Sequence, residues 1–204
     1  PLVAAKMRGA PIVLHEANSM PGKVNRFFSR YARLTGVFFP DASMHLKGRS
    51  LCVDMPLREG YSPFFFSQRE ARDYFHLDSE KFTFLVFGGS QGALALNTHI
   101  CSAMMTLAER STRFQVIHCT GSAIATEEIK AVYEDLGIQA SVRTFEERME
   151  YAWRAADLVI SRAGAMTVAE QIAMEVPTIL IPYPFALDDH QDKNADFVVN
   201  KLKA

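Results

Sequence analysis

Leu158-Val159-Ile160-Ser161-Arg162-Ala163-Gly164-Ala165-Met166-Thr167-Val168-Ala169-Glu170 is the stretch on which the reading of this 204-residue chain turns. Residues 158–160 form an apolar run of the kind that becomes a buried parallel strand, and residues 167–174 read as the start of a helix. Gly164 sits in the tight turn between them. A strand, a small-residue turn and a helix opening leave several backbone N–H groups at the positive end of the helix, where an anion or a polar ring docks. Glu170 lies one turn into that helix. A carboxylate there is positioned to accept two hydrogen bonds from a vicinal diol, as the acidic residue of a nucleotide-binding fold does for ribose.

Downstream, residues 177–181 form the next apolar strand, followed by Pro182-Tyr183-Pro184 and the polar cluster Asp188-Asp189-His190-Gln191 with Asn194-Ala195. Two successive strand-end loops with polar groups predict a ligand crevice at the carboxyl ends of parallel strands. Upstream, the buried strand 82–87 runs into Gly88-Gly89-Ser90-Gln91-Gly92, then a helix with Ala93, Leu96, Ile100, Ala103 and Leu107 on one face. This is a phosphate cradle, in which glycines let the backbone approach and the helix end favours negative charge. Tight strand–helix turns use glycine as well. Strand 114–118, helix 127–136, strand 141–145 and helix 149–156 complete an alternation that predicts an α/β fold with a doubly wound parallel sheet.

The first part of the chain repeats the pattern at smaller scale. Strand 11–14 ends at His15-Glu16-Ala17-Asn18, three polar side chains in four residues, and Met20-Pro21-Gly22 turns the chain. Residues 24–34 carry Val24, Phe27, Phe28, Tyr31 and Leu34 at helical spacing, with Arg26, Arg30 and Arg33 on the other side. Two readings stay open for this helix: a core-packed face with a solvated back, or a cationic, aromatic surface that meets anionic lipid. Short strands follow at 36–39 and 50–53. Pro56, Arg58, Gly60 and Pro63 mark an inter-domain linker between residues 55 and 63. Ser67 with Glu70 is a capping box for a helix running to about residue 75.

Composition bounds the class. Hydrophobic content of 49% is globular, and 22% charged residues give no sign of disorder. Cys52, Cys101 and Cys119 are an odd number without metal-type spacing, as expected for buried thiols in a reducing cytoplasm. No stretch reaches membrane-span length, and Pro1-Leu2-Val3-Ala4-Ala5-Lys6 is neither a signal peptide nor a natural start, so the chain is expected to be a fragment. The net charge of −1 divides unevenly: residues 1–58 hold nine Lys/Arg against three Asp/Glu, or +6, and the remaining thirteen against twenty make −7. A basic first part suits an anionic surface or a phosphorylated substrate, or is an ordinary solvated surface.

Taken together, His15-Glu16-Ala17-Asn18 with Pro21-Gly22 and Asn25-Arg26, Gly88-Gly89-Ser90-Gln91-Gly92-Ala93 with Asn97, Arg162-Ala163-Gly164-Ala165-Met166-Thr167-Val168 with Glu170, and Asp189-His190-Gln191 with Asn194-Ala195 follow one another as in the MurG family. The chain resembles these UDP-N-acetylglucosamine:undecaprenyl-pyrophosphoryl-muramyl-pentapeptide N-acetylglucosaminyltransferases over nearly its whole length. The resemblance implies GT-B architecture, with two Rossmann-like domains having parallel sheets, both incomplete here. Residues 1–58 would be the end of the acceptor domain with the linker, and 59–204 the UDP-sugar donor domain without its end. It implies inverting transfer of N-acetylglucosamine to the 4-hydroxyl of a lipid-linked muramyl-pentapeptide, in peptidoglycan synthesis, by a peripheral protein of the anionic cytoplasmic membrane face.

By the same resemblance Ser90 and Gln91 lie at the donor's phosphate and sugar, and Ala165, Met166 and Thr167 at the helix end near the phosphates. Glu170 holds the ribose, Gln191 the N-acetylglucosamine hydroxyls, and the backbone of Phe145 and Glu146 reads the uracil edge. Arg58 matches the arginine at the domain junction. His15, Glu16 and Asn18 match the acceptor-side loop, with His15 and Glu16 as catalytic candidates, and Arg30 matches a basic position of the membrane-facing region. Five features depart from the family. Its N-terminal glycine loop, which ends in a histidine proposed to be catalytic, and its closing C-terminal helix have no counterpart here. Ala17 stands for the usual Gln, Asp54-Met55 for Gly-Asn, and Leu94 for a common Arg.

Other chemistries fit less well. Asp188-Asp189-His190 is too contiguous to converge on one ion, and GT-B enzymes hold pyrophosphate with helix ends, so neither a metal nor another cofactor is expected. Nothing points to nucleic acid. His118 and Cys119 read as strand-end packing. A nicotinamide-dependent oxidoreductase needs an acidic residue at the end of the second strand, where this chain has His118-Cys119-Thr120. A UDP-N-acetylglucosamine 2-epimerase of the same architecture has no use for a basic, lipid-facing helix. A non-catalytic UDP-sugar-binding module is the third alternative.

Overall fold

The computed structural model describes residues 1–89, 94–111 and 113–202. They divide into two compact units: Pro1–Leu57 with Ala163–Ala169 and Pro182–Ala204, and Arg58–Arg162 with Glu170–Ile181.

The first unit holds a parallel sheet of β1 (Val13–Glu16), β2 (Leu34–Val37) and β3 (Ser50–Cys52), in that order. On β1, Leu14 and Glu16 face inward while Val13 and His15 face out, the period of two expected of a half-buried strand. Gly36 in the middle strand is required by close approach: a Cβ there would lie 2.9 Å from Val53 Cγ2. α1 spans Leu2–Met7 and α2 spans Lys23–Phe28, continued by a 3₁₀ turn, Ser29–Tyr31. The helix expected over 24–34 thus stops early. Buried Ser29 returns its hydroxyl to the Arg26 carbonyl and accepts the Lys47 amide, and Arg33 N already donates to Ile12 O, so Leu34 opens β2 instead. Val24, Phe27 and Tyr31 are exposed, whereas Phe28 and Leu34 are half-buried.

The second unit is built on five parallel strands: β4 (Phe82–Phe87), β5 (Phe114–Cys119), β6 (Gln139–Arg143), β7 (Leu158–Ser161) and β8 (Thr178–Leu180), in the order β6-β5-β4-β7-β8. The chain winds outward from β4 through β5 to β6, then returns to the other side of β4 for β7 and β8. The direction reverses between β4 and β7. In open α/β sheets the crevice at such a switch point, outside the carboxyl ends of the strands, is where ligands bind. Gly88-Gly89 leaves β4 there, and Arg162-Ala163-Gly164 leaves β7.

Ser67 Oγ accepts the Glu70 amide at 3.1 Å and caps α3 (Gln68–Tyr74), as the capping box predicts. α4 (Leu94–Ala108) buries Leu96, Ile100 and Met104, not Ala103, which stays exposed. α5 runs over Ala123–Asp135, four residues earlier than its apolar pattern suggests, because extended Ser122 ends the loop and its carbonyl takes the Thr126 amide. β6 ends at Arg143, whose carbonyl accepts Thr120 N. α6 spans Met149–Ala155 and carries Trp153 into a core with Phe75, Leu85, Phe87, Ile117 and Val159. α7 spans Ala165–Met174, two residues earlier than expected, since Val168 N closes its first turn on the Gly164 carbonyl. α8, Lys-bearing and polar, covers His190–Phe197.

Candidate functional site

In the first unit the loop after β1 is organised by Glu16. Its carboxylate is buried and accepts three donors: Asn18 N at 3.0 Å on Oε1, then Gly22 N at 3.0 Å and Asn25 Nδ2 at 2.9 Å on Oε2. Asn25 also caps the His15 carbonyl at 2.9 Å. Three hydrogen bonds to a buried carboxylate make it the clasp that folds 16–25. Three of its acceptor sites are engaged within the loop, so the side chain of Glu16, a proton-transfer candidate from the sequence, is built into the loop's own fold. His15 is different. Its ring stands exposed on the outer face of β1, beside Gly36, and has no side-chain hydrogen bond among the described residues.

The same unit gives Asn194 a role that no sequence pattern announces. Fully buried, it accepts Ser19 N and Ser19 Oγ on Oδ1, each at 3.0 Å, and donates Nδ2 to Asn18 Oδ1 and to the Ala163 carbonyl. Asn18 Oδ1 is thereby tied to α8. Gln191 Oε1 accepts Tyr183 N at 2.9 Å and ties the loop before α8 to its first turn. Asp188 and Asp189 both adopt the left-handed conformation, with φ of 56° and 52°, and Arg26 reaches Asp188 at 3.0 Å.

Between β7 and α7 the backbone does what the quoted stretch predicts. Ala163 is buried, Gly164 makes the turn, and the N–H groups of Ala165, Met166 and Thr167 stand in the first turn of a ten-residue helix, where none has an intrahelical partner. Met166 is exposed. The buried Ser161 hydroxyl, at the carboxyl end of β7, has no hydrogen-bond partner among the described residues.

The second unit brings Arg58 and Glu170 into one cluster and adds two residues that sequence reasoning missed. Tyr61 Oη donates to Glu170 Oε1 at 2.8 Å, and Trp153 Nε1 donates to Oε2 at 3.0 Å. Burial raises the Glu170 pKa above the usual carboxylate range, against the lowering effect of those two bonds and of Arg58. Burial, reinforced by the Glu170 charge, pushes the Tyr61 hydroxyl well above the ordinary phenol range, so it stays a donor. The Arg58 guanidinium pairs with Tyr61 and is raised by it. Tyr61 lies in a linker with no periodicity, and Trp153 reads as core, so neither carries a local signal.

Phe145 and Glu146 form a separate group. The Glu146 carboxylate is buried and bonds Arg143, Tyr74 Oη and Arg148 N, so its side chain supports the turn after β6. Phe145 is exposed, with its backbone N–H and C=O unbonded among the described residues. Ser90 and Gln91 lie outside the described residues. Just beyond them, Asn97 on α4 donates Nδ2 to the Thr120 carbonyl, and its Oδ1 lies 3.2 Å from His118 Nε2, while His118 Nδ1 lies 3.0 Å from Tyr133 Oη. Burial lowers the His118 pKa to about 4, so the ring is a neutral strut between α4, β5 and α5.

Residues 83–204 match the glycosyltransferase family 28 C-terminal domain, and residues 1–37 match the N-terminal domain of the same family. The chain belongs to glycosyltransferase family 28. Within the family it is 51% identical, over 100% of its length and 54% of the relative's, to the UDP-N-acetylglucosamine--N-acetylmuramyl-(pentapeptide) pyrophosphoryl-undecaprenol N-acetylglucosamine transferase of Protochlamydia amoebophila. It is 40% identical to the enzyme of that name from Methylococcus capsulatus, over 95% of this chain and 51% of that one. The crystal structure of Acinetobacter baumannii MurG superposes with a TM-score of 0.74 at 30% identity, covering 98% of this chain and 53% of the other. The chain spans about half the length of the curated relatives it matches. This family 28 chain has the α/β, GT-B fold, with parallel sheets in both units. Among the described residues no helix is long and apolar enough to cross a membrane.

Proposed function

We propose that this chain is part of an inverting glycosyltransferase that moves N-acetylglucosamine from UDP-N-acetylglucosamine to the 4-hydroxyl of undecaprenyl-pyrophosphoryl-muramyl-pentapeptide, a step of peptidoglycan synthesis. Residues 1–58 contribute acceptor-side elements, and 59–204 the donor side. The observation that carries the reading is the 51% identity over the whole chain to a relative named for that reaction, joined to a sheet whose switch point is flanked by Gly88-Gly89 and Gly164.

In this reading the pyrophosphate meets the N–H groups of Ala165, Met166 and Thr167, together with the loop of Ser90 and Gln91, so its charge is balanced by helix ends without a metal or other cofactor. Glu170 accepts the ribose hydroxyls, Gln191 meets the sugar, and the free backbone of Phe145 with that of Glu146 reads the uracil edge. Arg58 supports the junction. The acceptor oxygen attacks the anomeric carbon as the bond to the UDP phosphate breaks, with inversion. The hydroxyl proton passes to a base, and UDP departs carrying the bonding pair. His15, an exposed imidazole on the outer face of β1 with no side-chain hydrogen bond among the described residues, is that base. Glu16 and Asn18 hold the loop that presents it. Exposed Val24, Phe27 and Tyr31, with Arg30 over both aromatic rings and Lys6 3.4 Å from the Tyr31 centroid, suit peripheral attachment to an anionic cytoplasmic membrane face.

Two measurements test this. Calorimetric titration of UDP into the chain and its E170Q variant is expected to give a loss of about 1.5–3 kcal/mol, roughly ten- to a hundred-fold in Kd. Unchanged affinity in a folded variant removes the ribose role. In the whole protein, H15A is expected to keep UDP affinity and lose ~10²-fold or more in turnover. Near-normal transfer of radiolabelled sugar rejects His15 as the base.

A further inference from the structure

Glu170 is held from two sides before any ligand arrives. Trp153 is 0% exposed and locked in the core of the second unit, and its indole N–H takes one carboxylate oxygen. Tyr61 packs its ring against the same core, and its hydroxyl takes the other oxygen. A carboxylate has about four acceptor sites, two on each oxygen. One on each is therefore committed to a donor anchored in the fold, and one on each is left over.

Two donors on two oxygens fix the plane of the carboxylate as well as its position, which a single bond cannot do. A glutamate on the first turns of a helix otherwise has three soft torsions, and ordering them on ligand capture costs affinity. We propose that Tyr61 is a positioning residue of the nucleotide site: with Trp153 it presents the two remaining acceptor sites of Glu170 as a matched pair to a cis-vicinal diol. The proposal rests on the reading of Glu170 as the ribose ligand. It assigns discrimination between a ribonucleotide and a 2′-deoxyribonucleotide to a residue in the linker, outside every motif of the sequence.

The test is a set of calorimetric titrations of UDP and 2′-deoxy-UDP into the native chain, Y61F and E170Q. Y61F removes one hydroxyl and keeps the ring, and thermal melting of each variant reports whether the fold is kept. The native chain is expected to bind UDP more tightly than 2′-deoxy-UDP. Y61F is expected to lose about three- to ten-fold in UDP affinity, with much less loss for 2′-deoxy-UDP, so the preference narrows. The preference is a ratio measured on one protein, so it remains informative even if Y61F melts lower.

Equal losses for both nucleotides, or no loss for either, overturn the role of Tyr61 while leaving Glu170 as the ribose ligand, provided E170Q abolishes the preference. A native chain that binds both nucleotides equally, or binds neither, overturns the ribose reading and the proposal with it.

Discussion

The buried imidazole of His118 makes stability depend on pH in a way that can be worked out from its bonds. Asn97 donates its amide to the Thr120 carbonyl, so the Asn97 oxygen faces His118 and the ring must carry its proton on Nε2. Nδ1 is then the acceptor for Tyr133 Oη. A second proton on Nδ1 confronts the phenol hydrogen and puts a charge into a site that is 0% exposed. The folded pKa is lowered to about 4 from an ordinary value of 6.5.

A depressed histidine leaves the unfolded chain binding more protons between those two values, so stability is complete above pH 6.5 and is lost as pH falls toward 4. At about 1.4 kcal/mol per pH unit across that window, the loss is about 3 kcal/mol, a large share of a domain's total. Urea unfolding at pH 7, 6, 5 and 4.5, on the native chain and H118Q, measures it. H118Q is expected to be less stable at pH 7, and the gap to the native chain is expected to close by about 3 kcal/mol as pH falls. Ionisation of carboxylates is common to both proteins and cancels in the difference. A gap that stays constant across the series, or an imidazole that titrates by NMR near 6.5 in the folded protein, refutes the reasoning.

Other perturbations follow from single sites. E16Q puts an amide NH₂ where the carboxylate takes donors from Asn18, Gly22 and Asn25; a loss of about 1–3 kcal/mol, with faster amide exchange confined to residues 16–25, is the expected result. Arg72 is buried and bonds Asp157 at 2.7 Å and the carbonyls of Ala155 and Ser79, so R72M, which removes these three bonds while Gln68 and Thr83 still hold Asp157, is expected to cost about 1–3 kcal/mol in chemical denaturation. Exchanging exposed Phe27 and Tyr31 for Ser is expected to weaken sedimentation with anionic vesicles while leaving UDP affinity unchanged; unaltered vesicle binding removes that face from the membrane.

Much of the second unit was legible in the sequence, because its signals are local. Residues 82–87, 114–119 and 158–161 are short, largely apolar segments, buried over most of their length, and such segments read as parallel strands. The Ser67–Glu70 cap and the turn at Gly164 are likewise decided within four residues. What the tertiary structure alone decided depends on partners far apart along the chain. Local pattern cannot tell whether Val24, Phe27 and Tyr31 face a core or solvent, because that depends on what packs against them. Glu16 looks like a catalytic carboxylate until the turn at Gly22 and the side chain of Asn25 fold back onto it. Tyr61 meets Glu170 across 109 positions, and Asn194 meets Ser19 across 175. Hydrogen-bonding side chains advertise only their capacity to bond. Which groups they bond is set, within each unit, by the tertiary packing that brings distant loops together.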